Sequence, residues 1–341
     1  MSRISCRFAA LLFPLLLVLG SACAREPELV VYCSLDQEFA EPLIQRFVQE
    51  TGLDVRPEFD IEASKTVGLV ARLREEARNP RCDVFWNNEV AHTAALGSDG
   101  LLEAYDAPNA KDLPPTFRDP QRCWNGFAAR ARILIVNTKL ADPAAIHGMW
   151  DFVDPKWAGK VVMAKPLTGT TLTHMAALYL VLGEAKADEY VQRIHELSKS
   201  GAVALTNGNA SVARMVGDGQ MALGWTDTDD FAVARERGAP VAAVYPDKEG
   251  VGTLVLPNSI MILKGAPHRA AAQRFVDWVL RPEIEKELAF SRSAQIPVRD
   301  AVARPDGMPP PSSYKVMQID FEKLGNEIEK RAETLKKLFL D

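Results

Sequence analysis

This chain of 341 residues lacks the patterns that mark several common functions. Its five histidines have no metal-site spacing, and neither a Cys-x-x-Cys nor a His-Glu-x-x-His motif occurs, which argues against a structural zinc site. No Gly-Lys-Ser/Thr phosphate loop is present, which argues against ATP binding. The net charge of -5 leaves no basic excess for nucleic acid. Since no nucleophile and base pair is visible, we expect no enzymatic activity.

Long hydrophobic runs are equally scarce, and the apolar run at residues 8–19 is shorter than the roughly 20 residues that a membrane-spanning helix needs. Arg3 and Arg7 precede this run, and Gly20-Ser21-Ala22-Cys23 follows it. This arrangement predicts an export signal over residues 1–23, and hence a mature protein in the periplasm or on the outer face of the cytoplasmic membrane. Cys23 then becomes a lipidated first residue; the alternative is cleavage after Ala24.

The rest of the chain alternates between strand and helix patterns. Short β-rich runs at 29–33, 53–59 and 83–86 are separated by amphipathic helical patterns, which predicts a parallel sheet covered by helices. A second domain of the same kind begins near Ile133. We expect further strands at 161–163, 203–205, 221–225 and 254–263, and a helical tail over 313–340. The fold class is therefore α/β in two domains.

Three cysteines remain after the export signal, namely Cys33, Cys82 and Cys123. An odd number in an oxidising compartment predicts one disulfide and one free thiol. We expect Cys82 to pair with Cys123 and Cys33 to be buried.

Polar residues directly follow five of the predicted strands, where the ligands of open α/β sheets bind. The candidate ligand contacts are Asp36, Asn88, Glu89, Thr168, Gly169, Thr170, Asn209, Asp227, Asp229 and Asp230, with Arg130 near the domain crossover. Thr168-Gly169-Thr170-Thr171 precedes an apolar helix and suits an anion. Several of these residues are also good helix N-caps, which is the alternative for each taken singly. The aspartates are either ligands or solvated first-turn carboxylates.

The order of these segments resembles the solute-binding proteins of bacterial ABC importers, in particular the ferric-iron-binding branch. The resemblance is carried by Asp83-Val84-Phe85-Trp86, by Asp154 to Val161, by Gly219 to Gly224 and by Gln295 to Arg299. It implies a type II-like, two-lobed periplasmic-binding-protein fold, with mixed or parallel sheets flanked by helices and a ligand cleft between the lobes. Lobe 1 would comprise 24–129 and about 256–297, and lobe 2 would comprise 130–255 and about 298–341. The implied partners are a membrane permease and its ATPase, and we expect a monomer.

The iron ligands of that branch are not conserved in kind. Asp36 stands where the resemblance implies a histidine, Asn88 where it implies a glutamate, and Asp229-Asp230 where it implies a tyrosine pair. The anion site matches better, through Thr168, Gly169, Thr170 and Asn209. Ferric iron with an anion is the ligand that the resemblance implies, with Asp36, Asp229 and Asp230 as metal ligands and no resident cofactor. A polyamine-like organic cation or a phosphorylated metabolite is the alternative ligand, and a metal-dependent envelope hydrolase is the alternative class.

Overall fold

The computed structural model describes residues 27–60 and 66–340. The predicted export signal with Cys23 lies outside these ranges. Within the described ranges, none of the helices combines the length and the apolar composition that a bilayer crossing requires.

The described ranges contain ten strands and eleven α-helices. The strands are β1 Leu29–Cys33, β2 Val55–Phe59, β3 Val84–Asn87, β4 Leu102–Glu103, β5 Asn125–Asn137, β6 Val161–Ala164, β7 Val203–Thr206, β8 Leu223–Asp227, β9 Val241–Val244 and β10 Val255–Leu263. The helices are α1 Gln37–Thr51, α2 Val67–Glu75, α3 Ala91–Ser98, α4 Met149–Phe152, α5 Gly169–Leu182, α6 Glu184–Lys199, α7 Asn209–Gly217, α8 Thr228–Glu236, α9 Arg269–Val279, α10 Pro282–Phe290 and α11 Phe321–Leu340.

One continuous sheet runs in the order β2-β1-β3-β10-β5-β8-β6-β7, with β4 paired to β10 and β9 paired to β5. The long strand β5 joins its two halves, because Asn125–Ala131 pairs with β10 whereas Arg132–Val136 pairs with β8. We call the part built on β1–β4 and β10 lobe 1, and the part built on β6–β9 lobe 2. Arg130 and Arg132 therefore lie at the crossover between the lobes.

Parallel pairing sets the direction of the strand ends in each lobe. β1 pairs in parallel with β2 and β3, and β6 pairs in parallel with β7 and β8. In each lobe the carboxyl ends of these strands therefore meet at one edge, where the following helices begin.

The helices cover the sheet with apolar faces. α9 buries Ala272, Phe275, Val276 and Val279, which recur at helical spacing. The ring of Phe275 packs edge-on against that of Phe47 in α1, with 4.9 Å between centroids. Trp86 and Trp225 are completely buried, so both belong to the core rather than to a cleft wall.

Two elements begin far from the residue at which we expected them to begin. The strand expected from Ile133 begins earlier, at Asn125, and is buried throughout. Polar residues in its first half interrupt the apolar pattern from which a buried strand is predicted. The helix expected from Ser313 begins at Phe321 instead. Asp320 explains this start, since its side chain accepts hydrogen bonds from the backbone N–H groups of Glu322 and Lys323 at 3.1 and 3.2 Å.

The C-terminal helix α11 packs against both lobes. Gly325 lies against α3 of lobe 1 so closely that a Cβ there would meet the Ala95 nitrogen at 2.7 Å. One turn and a half later, Arg331 stacks 3.5 Å above the ring of Tyr179 in α5 of lobe 2. The predicted residue boundaries of the lobes stay a prediction, but α11 is not confined to lobe 2.

The expected disulfide is not formed. Cys33, Cys82 and Cys123 are all free thiols in the described chain. The Cys82 thiol is buried and donates to the Val84 carbonyl at 3.1 Å, whereas Cys123 is half-buried in the segment before β5. Burial raises the pKa of the Cys82 thiol well above its ordinary value, so this thiol is inert.

A half-buried carboxyl group in lobe 2 gives a pH test of this packing. Burial raises the pKa of Asp247 to about 6 from an ordinary 3.8. The native state therefore binds more protons than the unfolded state between these values, and stability falls as pH rises through about 6. Asp247→Asn removes the charge. We expect the unfolding free energy of this variant, relative to that of the wild type, to be about 1–2 kcal/mol higher at pH 7 than at pH 4, as measured by urea unfolding. The exposed Asp300→Asn change serves as the control, and an equal effect of Asp247→Asn at both pH values would contradict the prediction.

Candidate functional site

The predicted strand ends meet at a cavity of about 80 Å³ between the lobes, which we call the inner cavity. Ten of the predicted residues line it: Asp36, Asn88, Arg130, Thr168, Gly169, Thr170, Asn209, Asp227, Asp229 and Asp230. Asp36 follows β1 and Asn88 follows β3 in lobe 1, whereas the residues from Thr168 onward follow β6, β7 and β8 in lobe 2. Parallel strands thus bring residues from distant parts of the sequence to one place.

Two helices direct their N-termini at the inner cavity without a side-chain cap. Thr168 is the N-cap of α5 and its hydroxyl makes no capping hydrogen bond. Gly208 is the N-cap of α7 and has no side chain to offer. The positive φ of 56° at Gly169 lets the chain turn directly into α5. The first-turn N–H groups of both helices therefore face the space that a ligand would occupy.

A buried ion pair lies beneath these helix ends. Arg132 Nη1 donates to Asp227 Oδ1 at 2.7 Å, and the two side chains are 1% and 4% exposed. The other carboxylate oxygen accepts the Thr170 hydroxyl at 2.6 Å and the Asn209 amide at 3.0 Å. Asp227 thereby fixes the first turns of α5 and α7 relative to each other. It is the N-cap residue of α8, yet its side chain makes no capping bond there.

The electrostatics of the pair favour its ionised form. Burial opposes the charge on Asp227, but Arg132, Arg130 and the Thr170 hydroxyl together hold the pKa of this carboxyl below its ordinary value. His174 lies behind the pair with its ring 4.7 Å from that of Trp225. Burial, together with the Arg132 charge, lowers the pKa of His174 to about 3, so this histidine is neutral.

A second buried arginine connects the two lobes across the cavity. Arg130 donates to the backbone carbonyl of Asn88 in lobe 1 and to Asp229 of lobe 2, the latter at 3.3 Å. Burial opposes its charge, yet Asp229, Asp227 and Asp36 outweigh this and raise the pKa of Arg130. Among the described residues its Nε has no hydrogen-bond partner. Arg130 thus places a buried, partly unsatisfied cation on the cavity wall.

The acidic side of the cavity contains the residues predicted to bind metal. Asp227, Asp229 and Asp230 each offer a carboxylate oxygen, and these oxygens lie within 4.8 Å of one another. Asp36 lines the same cavity from lobe 1. Asp229 also accepts the backbone N–H of Asp230 at 3.0 Å, which orders the first turn of α8.

Glu89 is the one predicted contact that does not line the inner cavity. It is completely buried and accepts the backbone N–H groups of Ala91 and His92 at 2.6 and 3.0 Å, so it caps α3. It also accepts the Thr173 hydroxyl of α5 at 3.3 Å, which makes it a contact between the lobes. Both oxygens of the Glu89 carboxylate accept these hydrogen bonds. Of the two neighbouring residues Asn88 and Glu89, only Asn88 lines the cavity.

Lys165 is a cavity residue that the sequence prediction omitted. It follows β6 directly, is half-buried and lines the cavity beside Thr168. In the described parts of the chain no carboxylate forms an ion pair with it. A single lysine belongs to no recognisable motif. Its position immediately after a strand, however, is the same feature that predicted the other cavity residues.

Comparisons with known proteins show which family and which fold this chain resembles. A family model described as bacterial extracellular solute-binding protein matches residues 42–314. A Haemophilus influenzae protein described as uncharacterized is 29% identical over 338 residues, covering 95% of this chain and 93% of its own. The ferric binding protein from Campylobacter jejuni superposes with a TM-score of 0.81 at 20% identity, covering 91% of this chain and 99% of its own. AfuA from Actinobacillus pleuropneumoniae, with fructose-6-phosphate bound, superposes with a TM-score of 0.78 at 25% identity, covering 92% and 98%.

Because Asp227 belongs to the buried ion pair and Asp230 does not, we expect the two aspartates to contribute differently to unfolding stability. Asp227→Asn keeps the shape of the side chain but leaves Arg132 buried without a counter-charge, so we expect unfolding stability to fall by about 3 kcal/mol or more. The matched change Asp230→Asn affects a half-buried group and should cost about 1 kcal/mol or less. Urea unfolding at pH 7 measures both. Equal losses for the two variants would show that the Arg132–Asp227 pair does not hold the site together.

Proposed function

The chain belongs to the bacterial extracellular solute-binding proteins, the capture components of ABC importers, and we propose that its solute is a small organic phosphate or phosphonate. In this proposal the protein closes its two lobes on the ligand and delivers it to a membrane permease served by an ATPase. The proposal includes export through the signal at residues 1–23 and a lipid tether at Cys23, which would hold the protein beside the permease.

The observation that carries the proposal is the set of donors on one wall of the inner cavity. The uncapped first turns of α5 and α7 and the half-buried Lys165 all line it. Helix N-termini attract anions through their free N–H groups and the helix dipole. A tetrahedral phosphoryl group has enough oxygens to accept bonds from both helices and from Lys165 at once.

The size of the inner cavity fits such a group. A volume of about 80 Å³ is several times the roughly 10–15 Å³ that one water molecule requires, so the cavity has room for a compact group such as a phosphoryl group. The bound fructose-6-phosphate of AfuA, a solved structure with this fold, supports the same ligand class.

Ferric iron is the second candidate, and two observations favour it. Asp227, Asp229 and Asp230 offer three oxygens within 4.8 Å of one another, and the Campylobacter jejuni structure is that of a ferric binding protein. Against iron, Arg132 and Arg130 pair with Asp227 and Asp229 and place two positive charges beside the site. No tyrosine of the described chain lines the cavity. A polyamine-like cation would meet the same arginines.

A ligand panel tests the choice. We expect fructose 6-phosphate or O-phosphoethanolamine at 100 times its Kd to stabilise ligand-stripped protein by about 2.7 kcal/mol, and ferric citrate and spermidine to have no effect. Lys165→Ala removes a charge-assisted hydrogen bond of roughly 1.5–3 kcal/mol, which corresponds to about tenfold to hundredfold weaker phosphate-ester binding. Lys186→Ala, an exposed lysine on α6, is the matched control.

Thermal unfolding and calorimetric titration give the two readouts. Stabilisation by ferric citrate without stabilisation by either phosphate ester would replace the phosphate proposal with iron. Equal binding by the Lys165→Ala and Lys186→Ala variants would remove Lys165 from the site.

A further inference from the structure

A second and larger space adjoins the inner cavity. It has a volume of about 410 Å³ and lies between α7, α8 and the start of α1. It shares Asp36, Ala210, Asp229 and Asp230 with the inner cavity, so these four residues lie at the boundary of the two spaces, which we call the neck. We call the larger space the side chamber.

Small side chains form part of the wall of the side chamber. Ala213 of α7 and Ala234 of α8 belong to this wall and are 3% and 7% exposed. At one end α7 lies close to the segment that follows α8, since a Cβ at Gly217 would meet the Cβ of Ala239 at 3.1 Å.

We infer that the side chamber is the subsite for the organic part of the ligand, an inference that rests on the proposed function. The inner cavity of about 80 Å³ accommodates the phosphoryl group alone, whereas the side chamber has about 410 Å³ for the remainder. The chain therefore favours organic phosphates whose carbon skeleton reaches the side chamber, and it discriminates against inorganic phosphate.

The neck adds a chemical requirement to this size requirement. Asp36, Asp229 and Asp230 belong to the neck, and ionised carboxylates accept hydrogen bonds only. The carbons nearest the phosphoryl group must therefore carry donors, either hydroxyl or ammonium groups. Sugar phosphates and amino-alcohol phosphates meet this requirement, and acyl or plain alkyl phosphates do not.

Val233 of α8 provides the test, because it is half-buried and lines the side chamber. Val233→Trp should fill part of the chamber. The neighbouring Ala232 lines a different cavity, so Ala232→Trp places the same indole side chain elsewhere on α8. Calorimetric titration of the full-length protein and both variants with inorganic phosphate, O-phosphoethanolamine and fructose 6-phosphate compares the three ligand lengths.

We expect wild-type protein to bind fructose 6-phosphate at least tenfold more tightly than inorganic phosphate. Val233→Trp should lower affinity for fructose 6-phosphate at least tenfold more than for inorganic phosphate, and Ala232→Trp should leave this ratio unchanged. The inference that the side chamber binds the organic part of the ligand would be overturned by equal affinity losses for long and short ligands in Val233→Trp. Wild-type affinities for these ligands within twofold of each other would overturn it as well. Either result would leave the proposed phosphate site intact. Absence of binding by all three phosphates would instead overturn the proposed function.

Discussion

The buried ion pair between Arg132 and Asp227 is the contact on which the rest of the site depends. Both side chains are almost fully removed from water. A buried charge without a partner costs several kcal/mol of folding stability. Asp227 satisfies its second oxygen with Thr170 at the start of α5 and with Asn209 at the start of α7. The Asp227 carboxylate therefore neutralises the charge of Arg132 on the crossover strand. It also sets the relative position of the two helix ends that face the inner cavity. Because Arg132 lies where β5 changes partner, the same pair ties the ligand site to the junction of the lobes.

The balance of charge around the cavity decides between the ligand classes. The carboxylates of Asp227 and Asp229 are paired with buried arginines, and Lys165 adds a third positive group to the lining of the cavity. A bare trivalent cation would have to displace these partners or lie beside them. An anion with donor groups on its organic part meets each wall with the opposite character: phosphoryl oxygens toward Lys165 and the helix N-termini, and hydroxyl or ammonium groups toward Asp36, Asp229 and Asp230.

Most of the site could be predicted from the sequence because it follows from strand direction. Asp36, Asn88, Thr168, Asn209 and Asp229 each come just after a strand, and parallel strands end at a common edge. Position after a strand did not show which way a side chain points, so Glu89 was assigned to the cavity although it caps α3. The Cys82–Cys123 pairing was wrong because residue spacing carries no information on connectivity. The start of α11 and the length of β5 depend on one cap and on tertiary burial, which local periodicity does not reveal.

The central claim is that the two lobes close on an organic phosphate, and native mass spectrometry of protein purified without added ligand tests it most directly. A closed binding protein that retains its solute should show a bound mass that is released on denaturation, contains phosphorus and exceeds that of phosphoethanolamine. The same protein with Lys165→Ala should lose that bound mass. Retention of iron, with or without an organic acid, and of no phosphorus-containing species would contradict the account.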